Sequence, residues 1–85
     1  MTSKERAYLI KLSSNLSPVF QLGKEGFTPE VTKALLEVLE ARELIKINIL
    51  KNSPEDPKEV ARLIAERTSS ELVQVIGRKA VLYKP

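Results

Sequence analysis

Between two helix-start signals, Ile45, Ile47 and Ile49 alternate with Lys46 and Asn48, and few folds accommodate such a run. Successive side chains on a strand point to opposite faces, so Leu44 to Leu50 reads as a strand with one wholly apolar face. The flanking signals resemble each other. Thr28-Pro29-Glu30 and Asp56-Pro57-Lys58-Glu59 each set a capping side chain before a proline in the first helical turn, where a missing N–H leaves nothing unsatisfied. A strand held between two helices reaches a parallel neighbour only through a crossover.

The remaining segments extend this alternation. Thr2 to about Leu16 has helical spacing, with Leu9, Leu12 and Leu16 on one face, Ala7 and Tyr8 beside it, and Lys4, Arg6 and Lys11 pointing away. Thr2 and Glu5 form a candidate capping box, and Ser17-Pro18 stops the helix. Val19 to Leu22 reads as a short strand closed by Gly23-Lys24-Glu25-Gly26. The second helix buries Val31, Ala34, Leu35, Val38 and Leu39 and ends near Ala41–Arg42. The third carries Val60, Leu63, Ile64 and Arg67 at helical spacing. Glu71 to Ile76 and Ala80 to Tyr83 are strands joined by Gly77-Arg78-Lys79. The expected architecture is one compact α/β domain over residues 1–85, in the order α-β-α-β-α-β-β, with a four-stranded mixed sheet.

Period two also assigns faces. Phe20, Leu22, the three isoleucines, Val73 and Val75 are expected on one buried face. Gln21, Lys46, Asn48 and Gln74 fall on the other, among Leu44, Leu72 and Ile76. That second face is half apolar, as a partly solvated surface or a docking surface would be.

The inventory of reactive groups is short. The chain has no His and no Cys, so the commonest general base, thiolate chemistry and ordinary zinc sites are absent. Helix starts and exposed helix faces account for the carboxylates around Glu37, Glu40, Glu55 and Glu59. No catalytic residue, metal ligand, cofactor or small-molecule substrate is expected. No apolar run approaches the roughly 18 residues that span a bilayer, and Met1 to Arg6 lacks the apolar core of a signal peptide. A cytoplasmic monomer is the expectation.

Fourteen Lys and Arg against eleven Asp and Glu leave a net charge of +3. Where the surplus clusters matters more than its size. Gly23-Lys24-Glu25-Gly26 lies between a strand and a capped helix. Glycines allow close backbone approach, helix N–H groups attract anions, and Lys24 adds a charge at the tip. The Gly-x-x-Gly loop of KH domains clamps RNA with a similar arrangement. Arg78 and Lys79 in the hairpin, Lys84 beyond the last strand, and Lys11 and Lys46 would extend a basic surface around Gly23, Lys24 and Gly26 if the fold brings them together. Tyr83 and Phe20 could stack on bases, but each lies on an otherwise aliphatic strand. A nucleotide loop is disfavoured, because no Gly-Lys-Ser/Thr follows.

Four blocks in order carry a family resemblance. They are Leu16-Ser17-Pro18-Val19, Gln21-Leu22-Gly23-Lys24-Glu25-Gly26 with Thr28, Glu43-Leu44-Ile45-Lys46-Ile47, and Gln74-Val75-Ile76-Gly77-Arg78 with Val81-Leu82-Tyr83-Lys84-Pro85. Over essentially its whole length the chain resembles the YhbY family, the free-standing form of the CRM (chloroplast RNA splicing and ribosome maturation) domain. The resemblance implies a fold similar to the C-terminal domain of translation initiation factor three. It also implies association with RNA of the large ribosomal subunit precursor, with the family's Gly-x-x-Gly loop at Gly23 to Gly26. Many relatives have a His and a Lys where this chain has Ser14 and Ser17. The rival expectation is a protein-interaction module that docks on a ribosomal protein through the half-apolar sheet face.

Overall fold

The computed structural model describes all residues from Met1 to Pro85. Its elements are α1 (Ser3–Ser13), β1 (Phe20–Leu22), α2 (Pro29–Arg42), β2 (Leu44–Ile49), α3 (Pro57–Thr68), β3 (Glu71–Ile76) and β4 (Lys79–Tyr83). The four strands form one sheet in the order β1-β2-β4-β3. β1 runs parallel to β2, while β4 is antiparallel to both β2 and β3. The mixed sheet and the α-β-α-β-α-β-β order are as expected. No helix is long and apolar enough to cross a membrane.

The capping signals act as written. The Thr28 hydroxyl accepts from Val31 N–H at 3.2 Å, and the Asp56 carboxylate accepts from Lys58 and Glu59 N–H. In α1, Thr2 and Glu5 form the reciprocal box. Bonds from the Thr2 backbone and hydroxyl hold the Glu5 carboxyl below the ordinary carboxylate range.

α2 and α3 cover one face of the sheet. Leu35, Leu39, Ile45, Ile47, Ile49, Ile64 and Leu82 are fully buried there, each stabilising the fold by about 1.5–3 kcal/mol relative to exposure. Two expectations about faces are corrected. In β3, Leu72 pairs with Leu82 but Gln74 pairs with Val81, leaving Val73 as an extra, bulged residue. Leu72 and Val75 therefore join the α2/α3 core, while Val73 turns to the other side and packs with Leu9 and Val81. A bulge shifts the period by one residue, which alternation alone does not reveal.

α1 is the second correction. It ends at Ser13 rather than Leu16, where the Ser13 and Ser14 hydroxyls bond the carbonyls of Ile10 and Lys11 and compete with further helix. Its packed face is Leu9 and Ser13 with half-buried Arg6 and Ile10, leaving Tyr8, Leu12 and Leu16 exposed. Arg6 turns toward the sheet. Its Nη1 donates to the Leu72 and Val73 carbonyls at 2.8 and 2.6 Å, satisfying two acceptors at the bulge.

Candidate nucleic-acid interface

α1 covers only part of the sheet's second face. Leu9 and Ile10 pack over Val73, Val81, Leu44 and Tyr83, and beyond Ser13 there is no helix. The strands continue, so their outward side chains stand open. Between Ser13 and Ser14 on one side and Lys46, Gln74, Ile76 and Lys79 on the other lies a cleft of about 180 Å³. None of its lining residues is acidic. Lys46 pairs with Val81 and Lys79 with Asn48, so the two lysines are diagonal neighbours on one face, roughly 7–8 Å apart by strand geometry.

Lys46 also borders a second cleft, formed by the Asn15–Val19 segment and Arg42. Arg42 carried no signal in the sequence that set it apart from the other charged residues of α2, whose ion pairs at helical spacing account for it. Ser14 lines the first cleft and Ser17 the second. The two serines therefore flank Lys46.

The glycine loop lies at the C-terminal end of β1, next to the end of β2, where Leu50 N–H donates to Leu22 O at 2.9 Å. Gly26 N–H closes a turn on Gly23 O at 3.0 Å. Gly26 has φ +73°, and a Cβ there would lie 2.7 Å from Glu55 Oε2. That carboxylate accepts from Phe27 N–H at 3.3 Å and from the Ser53 hydroxyl at 3.1 Å. The helix N–H groups expected to attract an anion are thus largely engaged. Val31 N–H serves the Thr28 hydroxyl, Thr32 N–H serves the Thr28 carbonyl and Pro29 has none, while Phe27 N–H, just before the helix, serves Glu55. Gly26 is required by its backbone angle and by Glu55, whereas Lys24 is exposed at the tip.

The hairpin divides the other basic residues. Ile76 pairs with Lys79 across a two-residue Gly77-Arg78 turn, so Lys79 belongs to β4 rather than to the loop. Gly77, with φ +57°, takes the first central position, as a type II′ turn requires. Arg78 folds inward, with Nε and Nη2 donating to Ile49 O at 2.9 Å and Leu50 O at 2.8 Å. It ties the hairpin to the end of β2. Lys84 lies beyond the opposite end of β4, and its Nζ donates to Thr68 O at 2.6 Å, closing the C-terminal end of α3.

The expected cluster is therefore only partly assembled. Lys46 and Lys79 share the open face, and Gly23 and Lys24 stand at the same end of the sheet. Lys11 is exposed on α1, Gly26 is internal, Arg78 staples the fold, and Lys84 is remote. Tyr83 and Phe20 are half-buried in packing. No group of three or more acidic side chains gathers as a metal site would need.

The sequence model of the CRS1 / YhbY (CRM) domain matches residues 1–84. A Bacillus subtilis protein named "Probable RNA-binding protein YqeI" is 43% identical over 84 residues, covering 99% of this chain and 88% of that relative. A Haemophilus influenzae protein named "RNA-binding protein" is 32% identical over 85 residues, covering 100% of this chain and 86% of the relative. A Staphylococcus aureus protein with a known solution structure superposes with a TM-score of 0.85 at 45% identity, covering 100% of this chain and 88% of that one.

Proposed function

This chain belongs to the CRS1 / YhbY (CRM) domain family, and from that premise we propose that it binds RNA through the phosphate backbone. The observation that carries the reading is the convergence of Lys46 and Lys79 on the uncovered half of the sheet, in a cleft with no acidic lining residue. Neighbouring cations with no carboxylate among them favour a polyanion, and Gln74, Ser13 and Ser14 add hydrogen-bonding groups at the same place. Gly23 and Lys24 extend the surface at one edge, Arg42 extends it beyond Lys46, and Lys11 extends it over α1. Specificity would come from RNA shape, because few of these side chains suit base edges.

The proposed partner is RNA of the large ribosomal subunit precursor, the proposed form is a monomer, and the proposed setting is the cytoplasm. The four-block resemblance supports the first of these. Residues 1–85 would act as one RNA-binding domain and not as an enzyme. The docking alternative loses much of its surface, since Leu44 packs under α1 and Leu72 faces the opposite core.

The test is binding of large-subunit rRNA fragments across a salt series, comparing wild type with the Lys46→Glu, Lys79→Glu double variant. Affinity should fall linearly in log–log form with salt, with a slope of roughly 0.9 per neutralised duplex phosphate. The double variant should lose at least about tenfold in affinity and show a shallower slope, with its melting temperature little changed. Salt-insensitive binding, or full affinity in a folded double variant, overturns the reading.

A further inference from the structure

Four aromatic side chains are present in the chain, two Tyr and two Phe. Phe20 and Phe27 pack against the main core, and Tyr83 packs against the smaller one. Tyr8 is different. It is 62% exposed on the outer face of α1. Residues three and four apart are neighbours on a helix surface, so Lys4 and Lys11 flank Tyr8 one turn to either side, both exposed, while Glu5 beside Lys4 is turned back to accept from Thr2 N–H at 2.8 Å. Leu12, 45% exposed, lies one turn further along and widens the apolar ground beside the ring. Helix geometry also places Lys11 toward Ser14, which lines the cleft holding Lys46 and Lys79.

We propose that the outer face of α1 holds an unpaired base of the bound RNA on the ring of Tyr8, between Lys4 and Lys11. The inference rests on the RNA-backbone reading and gives it a direction, from the open sheet over Lys11 and onto the helix. Every base has a π-face, so an exposed ring takes any unpaired base, while flanking ammonium groups hold the phosphates on either side. A duplex keeps its bases stacked inside and gains nothing from the ring. Charge complementarity selects the occupant, because an apolar protein partner would have to bury Lys4 and Lys11 with Tyr8.

With no Trp and two Tyr in the chain, Tyr83→Phe leaves Tyr8 as the sole tyrosine emitter. Titrating that variant with a uridine-rich single strand should quench its emission, and a blunt duplex of equal length should quench it far less. Tyr8→Ala, made in the wild-type background, should weaken single-strand binding on the order of tenfold while leaving duplex binding within about twofold. Tyr8→Phe should keep single-strand affinity, since the ring and not the hydroxyl does the stacking. Unquenched emission, or undiminished single-strand affinity in Tyr8→Ala, overturns the proposal while salt-sensitive RNA binding survives. Absence of RNA binding by the wild type overturns both readings together.

Discussion

The two faces of the sheet are built to different degrees of closure. Under α2 and α3 lies a cluster of 12 buried residues, and under α1 a cluster of 3. Width explains the contrast. The outer strands of a four-stranded sheet are roughly 14 Å apart, and a helix is about 10 Å across with its side chains. Two helices therefore close one face, while a single helix leaves part of the other open. The polar members of β2 and β4, Lys46, Asn48 and Lys79, all fall on the side that one helix serves. Stability is concentrated on one side of the sheet, and the surface free for recognition on the other.

Core truncation gives the largest expected effect and the most direct way to break this contrast. Ile47→Ala, under α2 and α3, should lower unfolding free energy by about 3–5 kcal/mol, and Leu9→Ala, under α1, by about 2 kcal/mol or less. Urea denaturation of the two variants decides the matter, and equal losses would mean that α1 seals its face as firmly as its neighbours seal theirs. Arg6→Met sharpens the comparison at intermediate size. It removes both bonds to the bulge carbonyls, so about 1–3 kcal/mol should be lost. Amide exchange should quicken in α1 while α3 stays protected. Acidification is the mildest probe. The Glu5 carboxyl is held low by Thr2, so its contribution is complete above the ordinary carboxylate range and disappears as the pH falls through its depressed value. NMR should show the first turn of α1 loosening at low pH, and Glu5→Gln should abolish that transition.

What could be read from the residues depended on the kind of interaction involved. Local devices were legible: Thr28, Asp56 and the Thr2–Glu5 pair cap as their spacing implies. The alternation over Leu44–Ile49 predicted its buried face correctly. Val73 was not legible, because a bulge is a property of two paired strands and not of one. The inward turn of Arg6 was hidden for the same reason, since its acceptors lie 66 and 67 residues away along the chain. At the candidate site, the types of Lys46 and Lys79 were visible but their shared cleft was not. Arg78 and Lys84 looked like free charges until backbone acceptors brought from elsewhere engaged them.

The Arg6 fork has a consequence for how molecules of this protein meet one another. β3 lies at the margin of the sheet, where a bare backbone could recruit a strand from a second chain and seed aggregation. Here two of its carbonyls already accept from a guanidinium, and the bulge departs from the flat ladder that an incoming strand would need. A newcomer would have to displace a half-buried cation contact and match an irregular repeat. The contact that anchors α1 thus also leaves this margin of the sheet a poor template for a strand from a second copy.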